Sequence, residues 1–300
     1  MGYAEAPWNF KGRALYQLQL VRAEEARKYI PHEFKLVECL GWTLGGVYLA
    51  RYEDSPVGAF DECVVMAGLV WNPPTSCAWA GRVYVSDRDA RDHGLAHVGL
   101  PSRLAAFAPA GAAGAAGGRS WWRKGAGAAG AAPSSGAGLR LPGGFVDAIE
   151  LRSAERGRRA LPAPVATFKL PPLRTEGFLG PRLRLSLPSF SGGTAEHPQL
   201  LQYSCDLQTS VMPVAPMTIE LHHGGGGGAQ EEHARQGGEE EGRRRERGGW
   251  WWQARRREPE RAAGGGGGEV LDALLCGRPL VALAFSDMVV RGRLSGALAG

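Results

Sequence analysis

Residues 67–80, AGLVWNPPTSCAWA, carry the strongest fold signal in the chain. The run before Pro73 is apolar on both faces and predicts a buried strand over 63–71. Neither proline nitrogen can donate a hydrogen bond to a neighbouring strand, so this strand must end and the chain must turn at 73–74. The next strand is predicted over 78–85, and the tryptophans on the two sides of the turn offer a large apolar wall.

Outward from this turn, similar patterns predict a chain made mostly of strands. Alternating apolar and polar residues predict a half-buried strand over 15–21. Short helices are expected over 22–29, ended by Pro31, and over 87–97, capped by Asp87. Further strands are predicted over 45–52, 145–151, 165–170, 182–187, 200–211 and 280–290. Many strands with two short helices predict the fold class α+β, mainly β, with a closed or strongly curved antiparallel sheet.

Glycine is the most unusual part of the composition, with 45 residues in a chain of 300. Nine of them fall in 111–138 and fifteen in 224–268. Neither stretch has enough apolar residues to offset the entropy lost on ordering. We therefore expect one domain interrupted by two low-complexity segments. Its parts are 1–108 and 139–223 as the main portions, 109–138 as an Ala/Gly insert, 224–268 as a disordered Gly/Glu/Arg/Trp insert, and 269–300 as the last strand and tail.

The net charge of +5 and the pI near 9.1 would suit a nucleic-acid partner, but most of the charge lies in the inserts. Segment 111–138 holds three cations and no acid, and the chain outside the inserts is close to neutral. The run 243–257, rich in arginine and tryptophan, has the residue types that contact phosphates and stack on bases. Eight glutamates in 224–268 argue against this, so RNA binding is the remote alternative.

Five cysteines, Cys39, Cys63, Cys77, Cys205 and Cys276, are odd in number, and no two are spaced as a metal-binding pair. We expect reduced, buried thiols in an intracellular compartment, with no disulfide framework and no zinc site. No apolar run is long enough for a helix that spans a membrane. The first residues lack the pattern of a secretion signal or a transit peptide, which favours the cytoplasm.

Besides residues 67–80, eight short motifs follow one another in a fixed order. They are WNFKG at 8–12, ALYQL at 14–18, TLGG at 43–46, DSPVG at 54–58, FDE at 60–62, VGLPS at 98–102, LPSFSG at 187–192 and LLQYSC at 200–205. In this order they resemble the plant neoxanthin-deficient family, a divergent branch of the acetoacetate decarboxylase-like superfamily. The likeness is close over about residues 7–107 and patchy over 180–215, and both glycine-rich stretches fall outside it.

The resemblance implies an acetoacetate decarboxylase-like β-cone or barrel around an apolar cavity. It also implies a part in carotenoid metabolism, because the plant protein is needed to form neoxanthin from violaxanthin without being the converting enzyme itself. The expected role is an accessory protein that binds a hydrophobic small molecule such as a xanthophyll, or a protein of the carotenoid pathway. No cofactor is expected, an oligomer would match the ring assemblies of the decarboxylases, and the pathway points to the chloroplast rather than the cytoplasm.

The residues themselves argue against the chemistry of the decarboxylases. Those enzymes hold a nucleophilic lysine in a Gly-aromatic-Pro-Lys-Lys turn, where it forms a Schiff base. The matching turn here, 99–103, reads GLPSR. A serine hydroxyl forms no imine and an arginine stays protonated, so neither Ser102 nor Arg103 can act as that nucleophile. We therefore predict no Schiff-base decarboxylase activity and assign no catalytic residue.

The candidate pocket residues are Glu62, Trp71, Trp79, Ser102 and Arg103. Ser102 and Arg103 stand in the place of the active-site turn, and they either line a pocket or end a helix with a solvated arginine. Glu62 resembles the cavity-facing glutamate of the decarboxylases, and it either anchors a ligand hydroxyl or caps a turn. An enzymatic alternative uses Glu62 as the acid or base of an isomerase or lyase that needs no Schiff base.

His93 and His97 lie four residues apart on the predicted second helix, the spacing that lets two histidines share a zinc ion. Gly94 stands where a metalloprotease would carry its glutamate. This departure favours solvated histidines, and no metal site is expected.

Overall fold

The turn expected at 73–74 joins two long paired strands, β3 (Phe60–Asn72) and β4 (Thr75–Val85). Val70 and Cys77 face each other across this pair, and both are buried. The computed structural model describes residues 6–72, 75–110, 139–141, 144–146, 148–154, 164–171, 180–192, 194–195, 197–222, 275 and 277–297. The two prolines of the turn are therefore outside the described residues.

Strands dominate the described chain, as the sequence predicts. The other strands are β1 (Trp8–Arg22), β2 (Trp42–Asp54), β5 (Ser102–Pro109), β6 (Leu139–Leu141), β7 (Gly144–Val146), β8 (Ala148–Ser153), β9 (Ala166–Lys169), β10 (Arg182–Gly192), β11 (Leu200–Val214), β12 (Thr218–Leu221) and β13 (Arg278–Ala297). The helices are α1 (Ala23–Arg27) and α2 (Arg88–His93), and a π-helical turn follows over Gly94–Val98.

Three differences from the sequence predictions have local causes. Most observed strands are longer than predicted, because backbone pairing with the neighbouring strand continues past the residues that carry the alternating pattern. Strand β5 was not predicted, since its many alanines have low strand propensity. Asp87 caps α2 as expected, with its Oδ1 accepting from Ala90 N at 2.9 Å, but regular α-helix ends at His93 and the helical turns end at Gly99, where φ is +67°.

Seven of the described strands close into a ring in the order β10-β11-β13-β1-β2-β3-β4. Neighbours in the ring are antiparallel except β4 and β10, which run parallel and pair at one position, Trp79 with Phe190. Beyond β4 the sheet continues through β5, β8, β9 and β12, and β4 and β5 are also parallel. The closed, mainly β fold is confirmed, whereas the expectation of a purely antiparallel sheet is wrong at these two pairs.

The ring separates two hydrophobic clusters. The outer cluster packs the outside of the ring against α1 and the strands beyond β4, and Leu151 and Phe168 are among its fully buried members. The inner cluster combines side chains from β1, β2, β3, β4, β11 and β13. Tyr48 of β2 reaches Met288 of β13 across the intervening β1, as side chains do when they point into a closed ring.

The structure describes four of the five cysteines and little of the two inserts. The four described cysteines are free: Cys63 and Cys77 are buried and Cys205 is partly buried, but Cys39 is exposed, so the expectation of burial is wrong there. Insert 224–268, with its arginine-rich and tryptophan-rich run, and most of 109–138 lie outside the described residues. None of the helices in the described part of the chain is long and apolar enough to cross a membrane.

Two buried glutamines on β1 form hydrogen bonds to the backbone of residues that come before and after segment 223–274. Gln17 Oε1 accepts from Met217 N at 2.6 Å, and Gln19 Nε2 lies 3.5 Å from Leu275 O. The glutamines also contact each other, Gln17 Nε2 to Gln19 Oε1, at 3.4 Å. Both side chains are at most 1% exposed, so these polar groups have protein partners in place of water.

We predict that Gln17→Leu lowers the free energy of unfolding by about 1–3 kcal/mol, because it leaves the buried N–H of Met217 without its acceptor. The measurement is urea unfolding followed by circular dichroism. Gln208→Leu on β11 is the matched control, since Gln208 is exposed and should change stability by less than about 0.5 kcal/mol. Equal losses in the two variants would contradict the assigned role of Gln17.

Candidate functional site

A chain of three polar side chains lies inside the ring. Tyr48 and Tyr52 are on one face of β2 because side chains alternate along a strand, and Glu62 of β3 is paired with Ala50 between them. Tyr52 Oη donates to Glu62 Oε2 at 3.0 Å, and Tyr48 Oη is 3.3 Å from Tyr52 Oη. These three side chains therefore bring one carboxyl and two phenols together inside the ring.

Two of the interior hydroxyls lie within hydrogen-bond distance of a methionine sulfur. Tyr48 Oη is 3.2 Å from Met288 Sδ, and Tyr16 Oη is 3.6 Å from Met66 Sδ. Thioether sulfur is a weak acceptor, so these phenols gain less than they would from an oxygen partner. A ligand oxygen placed between them would offer a better acceptor than either methionine.

Burial in this interior shifts the ionisation of its groups. It raises the pKa of Glu62 to about 7, although the hydrogen bond from Tyr52 lowers that pKa in part. The pKa values of Tyr48 and Tyr52 also rise, first through burial and then through the nearby carboxylate. Burial and the charge of Glu62 raise the pKa of Cys205 on β11, which packs against the same inner cluster, to about 12.

The polar groups inside the ring and the apolar residues toward one end of its strands share one inner face. Tyr16, Tyr48 and Glu62 are surrounded by protein yet keep some accessible surface. The same inner face continues along the paired strands β1 and β13 toward their ends. There Leu18 lies opposite Val281, which is 42% exposed. We call the space lined by these five residues the ring chamber. Its walls toward the end with Val281, which we call the open end, are apolar.

A smaller pocket of about 120 Å³ lies at the seam where β4 meets β10. Its walls include Trp79, Phe190, Tyr29 and the turn over Gly99–Pro101. Gly99 has φ +67°, and a Cβ there would lie 2.9 Å from the backbone nitrogen of Gly192, so only glycine fits this approach. A volume of this size suits one ring-sized apolar group.

The five residues proposed from sequence fall in separate places. Trp79 lies at the seam pocket beside the 99–101 part of the expected turn, while Trp71 is 47% exposed at the end of β3. Glu62 is the third residue of β3 and faces the chamber, so a turn-capping role is wrong.

Ser102 and Arg103 begin strand β5, so they do not end a helix. In register Ser102 is opposite Val83 of the inner cluster, and Arg103 is opposite Tyr84 of the outer cluster. Ser102 is buried, and Arg103 is partly buried. The two residues therefore face opposite sides of the sheet.

Sequence reasoning missed the aromatic part of the site. The spacing of Tyr48 and Tyr52 on a predicted strand was a usable signal, because residues four apart on a strand share a face. Met288 and Tyr16 gave no such signal, since their contacts depend on which distant strands pair across the ring.

Of the two histidines expected to be solvated, His97 is exposed but His93 is buried. His93 is 8% exposed, its ring packs edge-on to Trp8 with centroids 4.4 Å apart, and burial lowers its pKa to about 4. His97 is exposed, and the two imidazole centroids are 5.2 Å apart. Within the described ranges no group of three or more histidine, cysteine, aspartate or glutamate side chains is placed to hold a metal ion.

Comparison with known proteins finds relatives that are similar in sequence and solved structures that are similar in fold. Protein NEOXANTHIN-DEFICIENT 1 of Oryza sativa subsp. japonica is 44% identical over 233 residues, which cover 73% of this chain and 71% of that protein. The Arabidopsis thaliana protein of the same name is 44% identical over 220 residues, 73% of this chain and 75% of its own. No protein-family model matches the chain.

Among solved structures, an acetoacetate decarboxylase from Legionella pneumophila superposes with a TM-score of 0.50. The match covers 99% of this chain and 90% of that enzyme at 12% identity. At this identity the likeness shows the fold alone, and it confirms the acetoacetate decarboxylase-like architecture.

We predict that Glu62 makes stability depend on pH. Between about pH 4.3 and about 7 the folded protein keeps a proton on Glu62 that the unfolded chain has released, so the free energy of unfolding falls as pH rises through this window. Glu62→Gln should remove this slope, which amounts to about 4 kcal/mol in total.

The measurement is urea unfolding at a series of pH values, read as the difference between wild type and variant. Glu220→Gln is the control, because Glu220 is exposed and paired with Lys169. A wild-type curve parallel to that of Glu62→Gln would show that Glu62 ionises normally.

Proposed function

Because the chain belongs to the NEOXANTHIN-DEFICIENT 1 family, we propose that it takes part in neoxanthin biosynthesis as an accessory protein whose ring chamber binds the end of a xanthophyll. The observation that carries this proposal is the hydrogen-bonded Tyr52–Glu62 pair inside a chamber with apolar walls. Sites for small hydrophobic ligands combine apolar walls with a few polar groups that fix orientation.

A xanthophyll has matching chemistry, because it is a long apolar chain with an oxygenated ring at each end. Glu62 can accept from a ligand hydroxyl when ionised and can donate to a ligand oxygen when protonated, and its raised pKa makes both forms accessible near neutral pH. The phenol of Tyr48 would exchange a thioether partner for a ligand oxygen.

The depth of the chamber favours binding of one end of the ligand. Leu44 lies near the open end of β2, and Ala50, opposite Glu62, lies six residues further along the same strand. At about 3.3 Å per residue this is about 20 Å, and the tilt of strands in a closed ring shortens the axial depth. The conjugated chain of a xanthophyll is longer than that, so the rest of the ligand would extend past the open end.

The lysines support a role without Schiff-base chemistry. Four of the five lysines, Lys11, Lys28, Lys35 and Lys169, lie within the described residues, and all four are exposed. A nucleophilic lysine of the decarboxylase kind needs desolvation to release its proton at neutral pH. Ser102, at the place of that lysine, has no amine to offer.

One observation favours a catalytic alternative. A carboxyl with a pKa near 7 and a phenol partner at 3.0 Å is suited to general acid–base chemistry. The second candidate is therefore an isomerase or lyase that uses Glu62 to move a proton on a bound xanthophyll.

We predict that Tyr52→Phe and Glu62→Ala each raise the Kd for violaxanthin about tenfold, because each removes a hydrogen-bonding group from the inner end of the chamber. Binding is measured by induced circular dichroism of violaxanthin in mild detergent. Glu220→Ala, which removes an exposed carboxyl outside the chamber, should bind as wild type does. Unchanged affinity in both chamber variants would exclude this binding mode.

We also predict that the chain restores neoxanthin in a plant line lacking its own neoxanthin-deficient protein, and that the Glu62→Ala form restores much less. Purified protein incubated with violaxanthin should give no neoxanthin when the pigments are separated by chromatography. Product formation in that purified reaction would replace the accessory role with the catalytic alternative. Failure of wild type to restore pigment in the plant line would remove the pathway role.

A further inference from the structure

The open end of the ring carries a set of exposed apolar side chains that the fold does not need. They come from the ends of β2, β3 and β13 and from the segment before β2. We call this set the apolar rim, and its members are Val37, Leu40, Trp42, Trp71, Leu280 and Val281. Five of them are 37–93% exposed, and Trp42 is partly buried.

Backbone pairing brings these residues to one end of the molecule. Arg22 ends β1 opposite Trp42, where β2 begins, and Arg278 begins β13 opposite Leu20. The segment with Val37 pairs with the end of β3, since Val37 N donates to Leu69 O at 2.8 Å. The apolar rim therefore lies along the mouth of the ring chamber on the side formed by β13, β1, β2 and β3.

Leu40 is the most unusual member of the rim. It lies at the tip of a two-residue turn in which Cys39 and Trp42 pair, and it is 93% exposed with φ +50°. This turn geometry favours Asn-Gly, and a leucine with positive φ costs about 1–2 kcal/mol. Nothing in the described part of the chain packs on this side chain to offset the strain, so Leu40 is better explained by a contact with something other than the described residues.

Trp42 has the surroundings of a side chain at a membrane interface. The Cζ atoms of Arg22 and Arg278 lie 4.4 and 5.2 Å from the centre of its ring. Tryptophan prefers the headgroup level of a bilayer, and arginine can keep its charge among headgroups while its stem covers apolar surface. Exposed Lys35 and Glu38 nearby offset each other, so insertion of apolar side chains must supply most of the affinity.

We infer that the apolar rim docks the protein on a lipid bilayer, with Leu40 and Trp71 inserted and Arg22 and Arg278 among the headgroups. The inference rests on the proposed function in one respect, because a water-insoluble ligand must leave a membrane to enter the chamber. In this orientation the chamber mouth faces the bilayer, so the ligand passes from lipid to protein without crossing water.

The test is flotation of the full chain with pigment-free vesicles of phosphatidylcholine, with and without phosphatidylglycerol. Leu40→Asn should lower the partition coefficient about tenfold, because one leucine no longer enters the bilayer. Asparagine tolerates positive φ, so this variant should fold at least as well as wild type. Arg22→Gln should lower binding about fivefold on vesicles with phosphatidylglycerol and leave binding to phosphatidylcholine alone unchanged.

Val57→Asn is the matched control, since Val57 is partly exposed and lies in the turn between β2 and β3, at the other end of β2 from Leu40. It should bind vesicles as wild type does. Absence of wild-type binding, or equal binding by Leu40→Asn and wild type, would overturn the inference. A dimer in size-exclusion chromatography that dissociates in Leu40→Asn would assign the rim to a second copy of the chain and would also overturn it.

The same variants separate this inference from the proposed function. Leu40→Asn should bind violaxanthin in detergent with unchanged affinity, because the chamber is intact. Glu62→Ala should bind pigment-free vesicles as wild type does. Vesicle binding without any pigment binding would remove the proposed ligand and leave the docking surface in place.

Discussion

Closure of the ring between β4 and β10 is the constraint on which the chamber depends. Every other neighbouring pair in the ring is joined at seven or more positions, whereas this seam has the single pair of Trp79 and Phe190. Side chains therefore hold it: Phe34 packs against Trp79 and Phe190 with centroids 5.1 and 4.9 Å apart. Gly192 N also donates to Gly99 O at 2.9 Å beside them. The family-like motifs at 67–80, 98–102 and 187–192 all meet at this seam.

Because the ring closes, its interior polar groups are largely surrounded by protein. Phenols in such surroundings cost free energy unless they are hydrogen-bonded, and two of the three described here have sulfur as an acceptor. Beyond Tyr52 the aromatic rings of Phe10 and Phe60 pack with centroids 5.2 and 4.9 Å from the Tyr52 ring. Aromatic packing thus fills the inner face beyond its polar end, so a molecule bound to the polar groups would have to enter from the other end.

The sequence predicted the strands far better than their assembly. Local alternation and the two prolines were enough to place β2, β3 and β4 within three residues, since those signals depend on neighbouring residues only, whereas β1 begins seven residues before its predicted start. The parallel seam and the contact of Tyr48 with Met288 join residues more than a hundred positions apart, and no local pattern encodes them. Glu62 was recognised because it lies in a motif. Trp71 also lies in a motif, but it is exposed because its strand continues past the ring into solvent.

The arrangement also explains why exposed apolar residues are concentrated at one end. At the filled end Phe60 is 3% exposed and Tyr52 6%, so that part of the interior gains its stability from packing within the chain. At the open end the same inner face continues through Leu18 to Val281, where no part of the described chain covers it fully. An apolar wall left open to water is unfavourable for folding, and the strained Leu40 at its edge adds to that cost. Both features become favourable when the mouth meets an apolar phase, which connects the ligand chemistry of the chamber to the surface around it.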